Sequence, residues 1–208
     1  MLTFFYSPWA CSLASHIALE ETGAAYEERS LAFAKDEQRS AEYLAVNPRG
    51  RVPALKVGDV VLTENSAILP FIADHFPDAG LLPADAVQRA RCASLIGFIS
   101  STVHPSYTHI RRPERFAEDK AVFPELIATG RKNFLANLRD LDAQLAGKTW
   151  AMGDAYTVCD PYVFVMGSWP QRIDLPIDEL TNLNAHRQRM LARPAVQRVL
   201  AREGLTVV

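Results

Sequence analysis

The chain changes its residue pattern once, and this change restricts the folds open to it. Residues 1–76 alternate extended and helical patterns, whereas the sequence after about residue 87 is helical throughout. Residues 76–85 lie between them and are rich in proline, glycine and aspartate, which favour turns. We therefore predict an N-terminal domain at residues 1–77, a linker at 78–87 and an all-helical domain at 88–208.

The N-terminal part shows short elements in the order βαβαββα, which fits a thioredoxin-like layout. Gly23 ends the first predicted helix, as glycine often does. Gly58-Asp59 is a two-residue loop of the kind that closes a hairpin. The predicted strands are Leu2 to Tyr6, Tyr26 to Leu31, Ala54 to Val57 and Val60 to Thr63, and the first and last helices are Ser12 to Thr22 and Asn65 to Phe76.

The C-terminal part has the spacing of packed amphipathic helices. Apolar residues recur at helical intervals, so the pattern predicts a bundle. They include Leu95, Ile96, Ile99, Phe134, Leu138, Leu141 and Leu145. Thr157-Val158-Cys159-Asp160 resembles a capping box ahead of an apolar run, which predicts the start of a buried helix.

Composition excludes several classes of function. A net charge of −2 over 208 residues gives no global field for binding nucleic acid. No apolar run approaches the roughly 18 residues of a membrane span, and the N-terminus lacks a basic leader, so we expect a cytoplasmic protein. Cys11, Cys92 and Cys159 share no Cys-x-x-Cys spacing, which argues against a disulfide framework and a metal site. We expect Cys92 and Cys159 to be small buried residues.

Cys11 stands where the first predicted helix begins. A helix N-terminus carries unpaired N–H groups and a partial positive charge, so we expect the pKa of a thiol there to be lowered. Cys11 could form a mixed disulfide, or it could donate a hydrogen bond to a bound thiolate. Ser12 and Tyr6 are rival residues for the second role, and a cysteine that only tightens the turn is the structural alternative.

Three motifs together carry a resemblance to a known family. They are Tyr6-Ser7-Pro8-Trp9-Ala10-Cys11-Ser12, Asn47-Pro48-Arg49-Gly50-Arg51-Val52-Pro53 and Thr63-Glu64-Asn65-Ser66. The chain resembles the glutathione transferase superfamily, most closely its bacterial, cysteine-type (beta) class. The resemblance implies glutathione as co-substrate, a homodimer and an electrophile pocket in the helical domain.

The resemblance also implies a glutathione site around the second motif. X–Pro bonds adopt the cis form at small cost, and the resemblance implies a cis bond between Val52 and Pro53. In related proteins the backbone of the residue before this proline, here Val52, pairs with the cysteinyl part of glutathione. Arg51 is then a candidate for an anionic end of the tripeptide, and Lys35 aligns with a family lysine near the glycine carboxylate.

The third motif opens a helix, whose N–H groups can hold the γ-glutamyl carboxylate while Glu64 takes the ammonium group. Asn65 stands where relatives have glycine or serine. His104 falls where beta-class relatives carry a histidine that faces the cysteine, but Pro105 and Gly97 replace the lysine and asparagine usual there. Because of these departures, both a catalytic role and a structural role stay open for His104.

We predict a glutathione S-transferase that conjugates the glutathione thiolate to small apolar electrophiles, with Cys11, Ser12 and His104 as candidate catalytic residues. Trp9, Tyr107, Met166 and Trp169 are candidates for the electrophile pocket. One alternative is a glutathione-dependent thiol–disulfide exchanger or peroxidase acting through Cys11. A second is a non-catalytic binding protein, because a fold does not determine an activity.

Overall fold

The computed structural model of the chain describes residues 1–206. Its N-terminal part contains β1 (Leu2–Tyr6), α1 (Ser12–Glu21), β2 (Glu27–Ser30), α2 (Ala41–Val46), β3 (Ala54–Val57), β4 (Val60–Thr63) and α3 (Asn65–His75). Its C-terminal part contains α4 (Ala86–Phe98), α5 (His104–Arg111), α6 (Phe123–Leu145), α7 (Cys159–Ser168), α8 (Thr181–Leu191) and α9 (Pro194–Arg202). The predicted fold class is confirmed.

The N-terminal elements form one four-stranded mixed sheet in the order β2-β1-β3-β4. β1 runs parallel to β2 and antiparallel to β3, and β3 and β4 form the predicted hairpin around Gly58, whose φ is +59°. Because β1 is central, the loop that follows it emerges from the middle of the sheet. This topology places the Cys11 turn beside the loop that leads into β3.

Helix α1 is buried on almost every side. Eight consecutive residues, from Ser12 to Leu19, are buried. The helix packs against α3 within its own domain and against α7 and α9 from the helical domain. Small residues such as Ala14, Ser15 and Ala18 let these neighbours approach closely. One hydrophobic core therefore continues across both parts of the chain.

In the helical domain, α4 continues into α5 through a π-helical turn at Ile99–Val103. Such turns widen a helix locally and are frequent at functional sites. The turn ends at His104, the first residue of α5. The predicted box at Thr157 is confirmed, since the Asp160 carboxylate accepts the Thr157 backbone N–H at 2.7 Å.

The element bounds differ little from the prediction. β1 and both hairpin strands are as predicted, α1 and α3 end one residue earlier, and β2 is shorter by one residue at each end. The domain boundaries at 77 and 88 stay a prediction; the linker contains one short helical turn, Pro77–Ala79. No helix within residues 1–206 is both long and apolar enough to cross a membrane.

Candidate active site

The turn between β1 and α1 is held by its own polar groups. The Ser12 hydroxyl accepts the backbone N–H of Ser7 at 3.2 Å and donates to the Ser7 carbonyl at 3.3 Å. Ser12 is fully buried, so both functions of its hydroxyl are used within the turn. Trp9 adopts a left-handed backbone with φ of +63°, a conformation that is strained for a tryptophan. Cys11 follows Trp9 by two residues, directly before the first residue of α1.

Cys11 lies partly buried beside the loop before β3. Its thiol donates to the Val52 carbonyl, with Sγ and O 3.4 Å apart. Burial, reinforced by the charge of Glu64, raises the pKa of Cys11 to about 12. The expectation of a lowered pKa is therefore wrong for this structure, because loss of water around the sulfur outweighs the field of the helix end. Cys11 is a neutral hydrogen-bond donor at pH 7.

The loop before β3 is rigidly supported. The Val52–Pro53 bond is cis, as the resemblance implied. The Arg51 carbonyl accepts hydrogen bonds from the Tyr43 hydroxyl at 2.6 Å and from the Asn47 side-chain amide at 2.7 Å. The Arg51 side chain itself is exposed. These contacts explain the use of asparagine in the second motif, since its amide fixes the backbone next to Val52.

The N-terminus of α3 lies against the Cys11 turn. Glu64 has a φ of +71°, is exposed, and raises the pKa of Cys11 by its charge. The buried Asn65 amide donates to the Cys11 carbonyl at 2.9 Å and accepts from the Ser15 hydroxyl at 2.6 Å. No side chain caps this helix end among the described residues. The Asn65 side chain is thus structural, and its backbone N–H points out of the helix end.

His104 and Cys11 share an electrostatic environment. Burial, together with the positive charges of Arg115 and Arg51, lowers the pKa of His104 to about 4. The charges of the same two arginines also act to lower the pKa of Cys11, although burial outweighs them. The imidazole is therefore neutral at pH 7. Arg115, which follows α5 in the turn Pro113–Arg115, was not predicted, because no local pattern links it to the first domain.

An aromatic wall from the helical domain faces the same turn. The Trp169 ring lies 5.0 Å from His104 and stacks on Tyr107 at 4.3 Å. The Trp9 carbonyl accepts the Trp169 indole N–H at 3.1 Å and an Arg172 N–H at 3.3 Å. The Arg172 guanidinium also lies 5.2 Å from the centre of the Trp9 ring. Trp9 therefore packs toward the helical domain and ties the Cys11 turn to this wall.

The structure also separates some predicted residues from this site. Lys35 is exposed in the turn Phe33–Lys35, with no contact to the Cys11 turn among the described residues. Tyr6 stacks in the core between Phe4 and His16. Sequence reasoning missed Tyr162, a buried α7 residue whose pKa is raised by burial and by Cys11. The capping box at Thr157 fixes the start of α7, so it was the sequence signal that could have located Tyr162.

Within residues 1–206, no cluster of three or more His, Cys, Asp or Glu side chains is arranged to hold a metal ion. The Cys11 turn contacts both the cis-proline loop, through Val52, and the N-terminus of α3, through Asn65.

Comparisons with known proteins decide the family. Residues 2–74 match the glutathione S-transferase N-terminal domain, and residues 103–194 match the C-terminal domain. The chain belongs to the glutathione S-transferase family. It is 35% identical over 207 residues to glutathione S-transferase GstA of Escherichia coli O157:H7, covering 98% of this chain and all of the relative.

Solved structures agree with this assignment. A glutathione transferase homologue from Sulfitobacter with bound glutathione superposes with a TM-score of 0.94 at 31% identity, covering 99% of each chain. A beta-class glutathione S-transferase from Sphingomonas chungbukensis has a TM-score of 0.87 at 37% identity, covering 98% of this chain and all of that one. The predicted superfamily, beta-like resemblance and glutathione transferase activity are confirmed, and the two alternative functions are not favoured.

Proposed function

We propose that this glutathione transferase binds glutathione along the Cys11 turn and transfers its thiolate to a small apolar electrophile held by the helical domain. The contact between the Cys11 thiol and the Val52 carbonyl carries the proposal, since it joins the thiol turn to the cis-proline loop. The thiol turn also contacts the N-terminus of α3 through Asn65.

Each part of glutathione has a chemically matched partner. The backbone of Val52 pairs with the cysteinyl residue as an added strand would. The N–H groups at the start of α3 hold the γ-glutamyl carboxylate, and Glu64 takes the ammonium group. Arg51 is exposed beside Val52 and binds the negative end of the tripeptide. Lys35 stays a candidate for the glycine carboxylate.

Cys11 holds the thiolate of glutathione by donating a hydrogen bond. With a pKa of about 12, the thiol keeps its proton at pH 7 and is a donor, as its bond to Val52 already shows. A donor stabilises a bound thiolate relative to the thiol and so lowers the pKa of the bound glutathione. Cys11 is only partly buried, and its contact to Val52 at 3.4 Å can be exchanged for a contact to the bound thiolate. Ser12 is fully buried with both functions of its hydroxyl used within the turn, which favours Cys11 over Ser12.

His104 and the aromatic wall complete the site from the helical domain. A neutral imidazole donates one ring N–H to the sulfur or to the electrophile without adding a positive charge. Trp169 and Tyr107 supply apolar faces for the second substrate. The glutathione sulfur then forms a bond to the electrophilic carbon, and the electron pair leaves with the departing group or moves into the acceptor.

A titration of reduced glutathione into the reduced protein tests the binding step. We expect saturable binding near one per chain by calorimetry. Glu64→Gln should weaken it about tenfold because the ammonium partner is lost, whereas Glu179→Gln, which removes an exposed carboxylate paired with Arg139, should not. No binding at millimolar glutathione would overturn the proposal.

A conjugation assay with 1-chloro-2,4-dinitrobenzene tests the transfer step. We expect turnover that depends on glutathione and is faster than the uncatalysed reaction. Binding of glutathione without turnover across a panel of aryl halides, epoxides and enones would favour a carrier protein instead.

We further propose a cytoplasmic homodimer that acts in detoxification. The homodimer is inferred from the resemblance to the family. The cytoplasmic location is inferred from the three free cysteines, which are typical of a reducing compartment. Light scattering coupled to gel filtration should give a mass of twice 23.1 kDa. A mass of one chain at micromolar concentration would contradict it.

A further inference from the structure

Two thiols outside the glutathione site lie against each other. Cys92 is on α4 and Cys159 is the first residue of α7, 67 residues further along the chain. The Cys159 thiol donates to the Cys92 carbonyl, with Sγ and O 3.6 Å apart, and its proton also acts on the Cys92 sulfur. Their exposed fractions are 1% and 0%. Neither takes part in the site around Cys11, so this pair is a separate cluster.

The two thiols are not equivalent. Hydrogen bonding from Cys159 lowers the pKa of Cys92, and the charges of Arg89 and Arg91 act in the same direction, against burial and Asp160. The same contact raises the pKa of Cys159 far above its usual range, together with burial. Because the thiolate is the nucleophile, a lowered pKa favours reaction at Cys92, and the place of Cys92 in the wall of a cavity favours the same sulfur.

Cys92 also lines a cavity that opens at the surface. The cavity has a volume of about 290 Å³ and lies between α3, the linker and α4, with Pro70, Leu82 and Arg89 in its wall. A water molecule needs roughly 10–15 Å³ of such space, so a molecule the size of hydrogen peroxide fits easily. The cavity therefore gives a small oxidant a place beside Cys92.

We propose that Cys92 and Cys159 form an oxidisable dithiol, in which Cys92 reacts with hydrogen peroxide and Cys159 then closes a disulfide between α4 and α7. The inference does not rest on the proposed function of the Cys11 site. It assigns a modification site to two residues that sequence analysis treats only as small buried side chains.

The reaction balances in two steps. The Cys92 thiolate attacks one oxygen of hydrogen peroxide, the O–O bond breaks, and the departing hydroxide takes up the proton released by the thiol to give water. Cys92 is then a sulfenic acid. The Cys159 sulfur attacks Cys92 Sγ, the S–O bond breaks, and the hydroxyl leaves as water with the Cys159 proton. Two thiols and one peroxide give one disulfide and two waters.

The product would connect two helices with different partners. α4 packs on α3 of the sheet domain, and α7 packs on α1, the helix that begins after Cys11. The backbone N–H of Val158, next to Cys159, donates to the Leu81 carbonyl in the linker at 2.9 Å. A covalent link here would join linker, α4 and α7 at one point.

The test treats the full-length Cys11→Ser variant with hydrogen peroxide, blocks remaining thiols, and maps tryptic peptides by mass spectrometry. The sequence places Cys92 in peptide 92–111 and Cys159 in peptide 149–172, separate from residue 11 in peptide 1–29. We expect these two peptides to become linked, and to separate again after reduction. Two thiols that stay free in the folded protein would overturn the proposal, as would a linked pair that forms only in urea.

Single variants in the same background assign the two roles. In Cys159→Ser we expect Cys92 to accumulate as a sulfenic acid that reacts with dimedone, and in Cys92→Ser we expect Cys159 to stay reduced. Oxidation of Cys159 in the absence of Cys92 would contradict the assignment. If a variant misfolds by circular dichroism, dimedone capture during early oxidation of the Cys11→Ser protein decides the order: label on Cys92 supports it, and label on Cys159 refutes it.

Discussion

The two ends of α1 are held in opposite ways. At its N-terminus no side chain within residues 1–206 caps the helix, a strained Trp9 precedes it and the Cys11 thiol donates to the Val52 carbonyl. From its middle onward, the His16 ring contacts the buried carboxylate of Glu203, the residue after α9, at 2.7 Å, and Glu21 forms a bidentate pair with Arg193. One end leaves polar groups open for a ligand, while the other is paired with charged side chains in and next to α9.

The contrast shows how one helix serves both binding and stability. Glu20 adds pairs with Arg198 and Arg202, so α9 covers the closed end with several charges. These contacts fix α1 as a rigid body. The open end can then keep unsatisfied groups and backbone strain without loosening the helix, which is a general property of preorganised sites.

The largest expected effect comes from breaking the closed end. Glu203→Ala should lower the free energy of unfolding by about 3 kcal/mol, because it leaves the fully buried His16 ring without its partner and opens a cavity. Glu203→Gln keeps the size and an acceptor, so it should cost less than about 1 kcal/mol. Urea unfolding measures both, and equal losses would show that the contact to His16 contributes little.

Asn65 joins the open end to α3, and its removal should have the next largest effect. Asn65→Ala removes the bonds to the Cys11 carbonyl and the Ser15 hydroxyl, which should cost about 2 kcal/mol of unfolding free energy and weaken glutathione binding. Ser15→Ala removes only the second bond and is the matched control. If both variants bind glutathione equally well, the Cys11 contact does not order the turn.

Substitution of Cys11 tests the open end with little effect on folding. Cys11→Ala should lower kcat/KM for conjugation about tenfold, equivalent to about 1.4 kcal/mol, because the donor to the thiolate is lost. Cys11→Ser keeps a donor and should retain most of the activity. Loss of activity in the serine variant equal to that in the alanine variant would indicate a covalent role for the cysteine.

The smallest effect is a pH dependence of stability that belongs to the closed end. Burial raises the pKa of Glu203 above its usual value of 4.5. The folded state therefore holds this proton more tightly, so the contribution to stability is full below pH 4.5 and is lost as pH rises through the folded pKa. The unfolding free energy of the wild type minus that of Glu203→Gln should therefore decrease as pH rises from 4.5 through the folded pKa of Glu203. A difference that rises with pH would reverse the sign and exclude a raised pKa.

Much of the fold and part of the site could be predicted, because they depend on short stretches of sequence. The hairpin at Gly58-Asp59, the start of α1 at Ser12 and the start of α3 at Asn65 are as predicted. Turn residues, prolines and apolar spacing act over a few residues, so the elements that they define can be predicted without knowledge of tertiary contacts. The cis bond at Pro53 was implied by family resemblance and is present.

The electrostatics of the site could not be predicted in this way. The pKa of Cys11 depends on how much water the surrounding chain removes, and burial outweighs the helix end. The charge of Arg115, in the turn after α5, acts to lower the pKa of both His104 and Cys11, although no local pattern links it to the first domain. Each of these results depends on distances between groups far apart in sequence.

The amino-acid sequence by itself determined the order of the elements and the thiol at the start of α1, and the family resemblance added the cis-proline loop. Only the tertiary structure decided that Trp9 lies under Arg172, that His16 meets Glu203, and that Cys92 meets Cys159. The physical reason is that turns and helix starts arise from local backbone preferences, whereas desolvation and charge pairing depend on which distant segments the shared core brings together.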